Sequence, residues 1–511
     1  MYTACLRIII DYMKNKGILL QIRKLESGRS EKDAQKIAGF FARLEEKGPA
    51  LRSRMNLLFH HFLASFEYCL DHGLSVDETA ELLSPERFGD YFSREDGEYY
   101  TLDNAAIVYP LGMKFGQMPM FRLSVTLKDD VVPCLLQTAL DFTIRRFPVF
   151  SAVVRTGFFW HYLETTHQIP EIEEETEIPC KPISIRMRSS RSYRVVYFKK
   201  RISVEFFHVL TDGSGGMVFL KTLLREYFRL LGKEIPCTEE IRDVEEEAPQ
   251  AEFVNEFENA KGEDNLDTFF DSPSVQLDGK LTSIKPSRVL HFIMDSNQLK
   301  NVSHRYGGTV TSYLLAVMME AAQARIAKKQ GIYKIQVPVN MRKFNHSQTL
   351  RNYSMYFFAS TELSEHPTRE ERVKDMAKQI QEKGSEGIMT QMMKTTGRMI
   401  RTVSWIPVFL KAPVVQIAYG YLGNRIIGET LSNLGVIRVP EEMKPYIDGF
   451  DFLLVPGSPN RAASTLVSFE GTTRFTVIKA SKDSRYEENI LRILEEDGLT
   501  VRMEGSIDYE S

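Results

Sequence analysis

The chain lacks most of the features that point directly to a function. Basic and acidic residues nearly cancel, 65 Lys and Arg against 68 Asp and Glu for a net charge of −3. No broad basic field is offered to phosphates, which excludes a nucleic-acid partner. Cysteine is scarce: Cys5, Cys69, Cys134, Cys180 and Cys237 are odd in number and widely spaced, with no CxxC pair. A disulfide framework and a zinc site are therefore not expected, nor is another metal, and a reducing cytoplasm is the expected setting. Unbroken apolar sequence is missing too. The stretch 403–423 is long enough to cross a bilayer, but Pro407, Lys411 and Pro413 interrupt it. It reads as buried helices or as a surface that touches lipid. Residues 1–10 have a short apolar patch without the basic start, long apolar core and small-residue cleavage site of a signal peptide, and read as a helix start. No P-loop, GxSxG, HExxH or EF-hand spacing occurs.

What is present is a long chain of mixed character. At 511 residues it exceeds the size over which one core keeps growing, so two or more domains are expected. Residues 1–97 are rich in helix formers, with a helical apolar period over 55–66, and Ser75-Val-Asp-Glu78 has the form of a capping box. From Tyr99 strands and helices alternate. Strands are expected at 121–127, 151–155 and 158–163 and in a hairpin, 193–198 with 202–207, while a helix over 132–146 is stopped at Phe147-Pro148. The acidic stretch 237–273 reads as a linker between two domains or a long surface crossover, giving units at 98–270 and 271–511. The second unit is expected to hold strands at 289–294, 334–342 and 350–358 and helices at 311–328, capped by Thr311, and 369–383. A polar turn at 430–435, strands at 450–454, 464–469 and 473–478, a helix at 487–496 and a strand at 499–503 complete it.

The stretch that carries chemistry is Val204-Glu-Phe-Phe-His-Val-Leu-Thr-Asp-Gly-Ser-Gly-Gly216. It reads as strand, tight turn and helix, with His208 at the strand's exit. An imidazole on rigid backbone there can serve as a general base. Asp212, in the turn, can accept hydrogen bonds from backbone amides or pair with a distant Arg. Gly213, Gly215 and Gly216 let the backbone take positive φ and let another chain or ligand approach closely. The competing reading is a core histidine beside an Asx-type turn. A dinucleotide-binding turn is disfavoured, because Val218 stands where the third glycine of GxGxxG belongs. Asn340 and Arg342 arrive together at another strand end, a usual place for functional residues in α/β folds.

His208-Val-Leu-Thr-Asp-Gly213 matches the HxxxDG motif, and the chain resembles the CoA-dependent acyltransferase superfamily of chloramphenicol acetyltransferase, peptide-synthetase condensation domains and BAHD enzymes. Tyr100-Thr-Leu-Asp-Asn-Ala-Ala106, Arg146-Phe-Pro-Val-Phe150, Gly157-Phe-Phe-Trp-His-Tyr-Leu163, Val337-Pro-Val-Asn-Met-Arg342 and Thr430-Leu-Ser-Asn-Leu-Gly435 are similar to the bacterial alcohol acetyltransferase branch, in the same order. The resemblance implies two similar chloramphenicol-acetyltransferase-like α/β sandwich domains, 98–270 and 271–511, with an active-site channel between them, and leaves 1–97 as a helical extension. It implies an O-acyltransferase with no bound cofactor, taking acyl-CoA or an acyl-carrier thioester as co-substrate and a hydrophobic alcohol as acceptor. His208 would be the base, Asp212 and Gly213 the rest of the motif, and Arg342 the partner of Asp212. Asn340, Ser432 and Asn433 are the candidates for the oxyanion or the channel wall. Phe207 replaces the first His of the HHxxxDG form common in condensation domains, which argues against amide formation on carrier proteins. An amide-forming enzyme and a non-catalytic carrier- or lipid-binding module are the alternatives. An acyl carrier protein and a peripheral membrane contact are the macromolecular partners to consider.

Overall fold

The computed structural model describes residues 16–94, 96–112, 118–183, 191–259, 272–418, 424–457 and 459–506. The helix start read at 1–10, residues 260–271 of the linker and the end of the apolar 403–423 stretch lie outside them.

Four helices open the chain: α1 (Lys16–Glu26), α2 (Glu31–Lys47), α3 (Arg52–Asp71) and α4 (Val76–Leu82). Ser30 caps α2 through its hydroxyl, and Ser75 with Glu78 forms the reciprocal capping box of α4. Their apolar faces do not make a separate core. Phe40, Phe62 and Phe66 belong to the same buried cluster as Phe142 and Phe206 of the first lobe, and the Phe62 and Phe142 rings meet edge to face at 5.6 Å.

The first lobe follows with β1 (Tyr99–Thr101), α5 (Val108–Gly112), β2 (Met120–Leu127), α6 (Pro133–Thr143), β3 (Ala152–Thr156), β4 (His161–Thr165), β5 (Ile172–Glu174), β6 (Tyr193–Phe198), β7 (Arg201–Phe207) and α7 (Gly213–Leu230). Strands β1, β4 and β3 form a small sheet, and a five-stranded sheet runs β2-β7-β6-β5 with a strand from the second lobe, Ile447–Leu454, at the outer edge of β2. The hairpin over 193–207 is β6 with β7, so β7 is central and paired on both sides. Its Val204 and Phe206 enter the core. Between them Glu205, fully buried, is held by Arg122 and Arg194.

The second lobe holds β8 (Arg288–Asp295), α8 (Ser296–Arg305), α9 (Val310–Arg325), β9 (Ile332–Asn340), α10 (Arg342–Asn345), β10 (Ser354–Glu362), α11 (Arg369–Lys383), α12 (Glu386–Thr402), α13 (Val408–Ala418), β11 (Glu429–Val436), β12 (Ile447–Leu454), β13 (Ala462–Phe469), β14 (Thr472–Lys479), α14 (Arg485–Glu496) and β15 (Arg502–Gly505). Seven of its strands make one sheet, β10-β9-β11-β13-β14-β8-β15. The remaining strand, β12, crosses to pair with β2, and the lobes are stitched where the Thr465 hydroxyl donates to the Phe452 carbonyl.

Several expectations need correction. The polar turn read at 430–435 is strand β11, parallel to both β9 and β13. Its polar composition suggested a turn, but two of its polar side chains find partners the sequence does not show, Thr430 with Gln336 and Asn433 with Thr311. The Thr311 hydroxyl is therefore not the cap of α9; Thr309 is, in a capping box with Ser312. Residues 350–353 precede β10, and the last strand begins at Arg502 rather than 499. Helices α8 and α12 were not anticipated. Among the described residues no helix is long and apolar enough to cross a membrane.

Candidate active site at the lobe junction

His208 follows the last residue of β7 and is half-buried where the first lobe meets the strand ends of the second. Its amide still donates to the Pro119 carbonyl at 2.9 Å, which anchors its backbone to the chain entering β2. The ring lies between aromatic neighbours, Tyr109 of α5 with centroids 5.2 Å apart and Phe121 of β2 at 5.0 Å, edge to face. Its Nδ1 is 2.9 Å from the Oδ1 of Asn352. An amide oxygen only accepts, so this bond requires the proton on Nδ1. Nε2 then carries the lone pair. The Asn352 amide is oriented in turn, its Nδ2 donating to Asp103 Oδ2 at 3.3 Å. Burial pushes the Asp103 carboxyl up. Opposing that, Arg351 lies 3.8 Å away and the Ala106 amide donates to Oδ1 at 2.7 Å.

Asp212 is the N-cap of α7. Its Oδ1 accepts from the Ser214 and Gly215 amides, both at 3.1 Å, as a helix N-terminus with unpaired donors favours. Oδ2 accepts from Arg342 Nη1 at 2.8 Å, from the Tyr353 amide at 2.9 Å and from the Ser354 hydroxyl at 3.1 Å. Burial opposes the charge of this carboxylate, but Arg342 and the hydrogen bonds outweigh it and hold the group below the usual aspartate range. With all these donors aimed at it, Asp212 is a tie between lobes. Arg342 is spent in the same way, with Nε on the Thr349 carbonyl at 2.8 Å and Nη2 on the Arg351 carbonyl at 2.6 Å.

The glycines act by space, not by unusual backbone: none of Gly213, Gly215 and Gly216 has positive φ, contrary to one expectation. A Cβ on Gly215 would lie 2.2 Å from the Leu350 carbonyl oxygen, and one on Gly213 would lie 2.7 Å from Leu434 Cδ2. The start of α7 is therefore pressed against 350 and against β11, both from the second lobe.

Of the other candidates, Asn340 is exposed and donates to the Ser214 hydroxyl at 3.0 Å, while its Oδ1 takes the Arg342 amide at 3.0 Å. Asn433 is turned away from the motif, its Nδ2 donating to Thr311 at 3.0 Å and its Oδ1 accepting from the Gly435 amide at 2.7 Å. Ser432, half-buried on β11, pairs with Thr465 of β13 through the strand ladder, and its hydroxyl has no hydrogen-bond partner among the described residues. Asp103 and Asn352 were missed as site residues. Asp103 lies within the Tyr100–Ala106 stretch that supported the resemblance, so a signal existed there; Asn352 carried none. Among the described residues no three His, Cys, Asp or Glu side chains are grouped to hold a metal.

No family model matches the chain, and no curated protein matches it in sequence. Solved structures do. The first condensation domain of the calcium-dependent antibiotic synthetase, in complex with a substrate analogue, superposes with a TM-score of 0.55 at 11% identity, over 79% of this chain and 97% of that one. TRI101 of F. graminearum, complexed with coenzyme A and deoxynivalenol, gives 0.53 at 10% identity, over 79% and 99%. Trichothecene 15-O-acetyltransferase TRI3 from Fusarium sporotrichioides gives 0.52 at 11%, over 78% and 95%. With similarity that runs nearly the whole length of these proteins, the chain has the same two-lobed α/β fold as this condensation domain, TRI101 and TRI3.

Proposed function

We propose that the chain moves an acyl group from a thioester, acyl-CoA or carrier-bound, to the hydroxyl of an apolar acceptor, with His208 as general base. The observation that carries this reading is the Asn352 bond to Nδ1, which leaves the Nε2 lone pair at the lobe junction. A histidine kept only for packing would not need its tautomer set by a buried chain running through Asn352 to Asp103. The aromatic walls at Tyr109 and Phe121 favour an acceptor with an apolar body. Neighbours described as an O-acetyltransferase and as a coenzyme A complex lend the donor class its support.

In this mechanism Nε2 takes the acceptor's hydroxyl proton as its oxygen bonds to the thioester carbonyl carbon. The tetrahedral oxyanion needs a donor, and Ser432, with its hydroxyl uncommitted, is the candidate we carry forward. When the carbon–sulfur bond breaks, the imidazolium returns the proton to the leaving thiolate, giving ester and free thiol. Asp212 and Arg342 touch no reacting atom; they hold α7 against the second lobe so that His208 stays in place.

The test is release of free thiol from acyl-CoA with and without added long-chain alcohols. His208→Ala is expected to lose alcohol-dependent release by at least ~10²-fold with its melting temperature nearly unchanged. Turnover retained in that variant refutes the base, and thiol release that responds to amines but not alcohols supports the amide-forming alternative.

A further inference from the structure

Helix α13 is built inside out. Its one cation, Lys411, is 4% exposed and lies over the Trp160 ring, while Phe409, Leu410 and Val414 are 64%, 56% and 65% exposed. Trp405, just before the helix, is 72% exposed. The tip of the β3–β4 hairpin adds Phe158 and Phe159, which lie edge to face 4.8 Å apart, and the Val408 amide donates to the Phe158 carbonyl at 2.8 Å. Two segments some 250 residues apart in sequence thus make one outward apolar face. Burying such a face normally repays folding, so leaving it in water is a standing cost.

The charge on the α12–α13 side of this face has one sign. Residues 387–428 contain Lys394, Arg398, Arg401, Lys411 and Arg425 and no Asp or Glu, in a chain whose net charge is −3; in the β3–β4 hairpin Arg155 is paired with Glu164, so the hairpin adds no net charge. Arg398 and Arg401 are exposed on the last turns of α12. Aromatic and aliphatic side chains projecting outward, flanked on the α12 side by cations and no acid, complement the headgroup region of an anionic bilayer. We infer that α13 and the β3–β4 hairpin seat the protein on an anionic phospholipid surface, with Phe409, Leu410, Val414 and Trp405 entering the acyl boundary and the arginines of α12 meeting lipid phosphates. The contact is peripheral, since no described helix can span. Because α13 packs on α5, whose Tyr109 lies against His208, the lipid surface is one helix away from the candidate active site. The inference does not depend on the acyl-transfer reading, and its test does not measure turnover.

The full chain is mixed with vesicles of phosphatidylcholine alone, or with about one third phosphatidylglycerol, and sedimented. The chain has two tryptophans, so Trp160→Phe leaves Trp405 as the sole reporter. Sedimentation with the anionic vesicles, lost in high salt, and a blue shift of Trp405 emission are expected. Phe409→Ser with Val414→Ser should weaken partition at least ~10-fold, and Arg401→Glu should weaken it about fivefold on the anionic vesicles only. Melting curves matching the parent confirm that the exposed substitutions leave the fold intact; should the serine pair fail this, Arg401→Glu decides. No sedimentation with either vesicle overturns the inference, as does unchanged binding by the variants. A concentration-dependent dimer that the serine pair abolishes, without vesicle binding, would instead assign the face to a second copy of the chain.

Discussion

A histidine can remove a proton only with an unprotonated nitrogen facing the substrate, and in this chain Asn352 decides which nitrogen that is. The pairing spans 144 residues of sequence and joins the exit of β7 to the entry of β10. Asn352→Ala removes both the acceptor on Nδ1 and the donor to Asp103, freeing the imidazole to rotate and change tautomer. Turnover is expected to fall roughly 10²-fold with KM little changed. A positioning role predicts that split, whereas a merely structural one would lower the melting temperature and leave kcat per folded molecule intact. In the sequence His208 was legible because it stands in a spaced motif. Asn352 was not, since an Asn before a strand is common and its meaning lies only in what stands opposite.

The turn between β7 and α7 combines three local rules in a few residues: strand exit, N-cap and close approach. Asp212 meets the capping rule through Ser214 and Gly215, which local sequence can suggest, and the ion-pair rule through Arg342, 130 residues away. These roles separate by substitution. Asp212→Asn keeps a capping oxygen but leaves Arg342 without its anion, and Asp212→Ala removes both. Since breaking one side of a buried pair strands the other charge, Asp212→Ala should cost about 3–5 kcal/mol in urea unfolding. Asp212→Asn should cost less by roughly the 1 kcal/mol of a lost cap. Equal costs would mean that the cap contributes nothing. Strand β11 teaches the converse. Thr430, Ser432 and Asn433 have turn-forming composition, yet they lie in a parallel strand because β9 and β13 flank them.

Across the whole molecule, stability should carry the mark of one buried acid. Glu429, at the start of β11, is fully buried and accepts from Tyr486 at 2.5 Å, Ser464 at 2.7 Å and Tyr333 at 3.3 Å. Burial pushes its carboxyl up to about 7, against those hydrogen bonds and nearby Lys479. Below its unfolded pKa the group is neutral in both states and folding bears no penalty. As pH rises toward 7 the unfolded chain gives up the proton first, and stability falls, by about 3 kcal/mol in total for a shift of this size. Glu429→Gln should therefore gain on the parent between pH 5 and pH 8 when both are melted side by side, and a constant difference would refute the shift. What the sequence determines by itself is periodic and local: the β6–β7 hairpin, the capping box at Ser75, helix α11 over 369–383 and the α/β alternation from Tyr99 on, each set by neighbours within a few residues. The HxxxDG spacing belongs with them. Tertiary structure alone decided that β12 crosses into the first sheet, that the opening helices share that lobe's core, that 430–435 is a strand, and that Asn352 and Asp103 stand behind His208. Those outcomes depend on what lies across a sheet or a lobe junction, and one strand's composition is compatible with many partners until the chain has closed on itself.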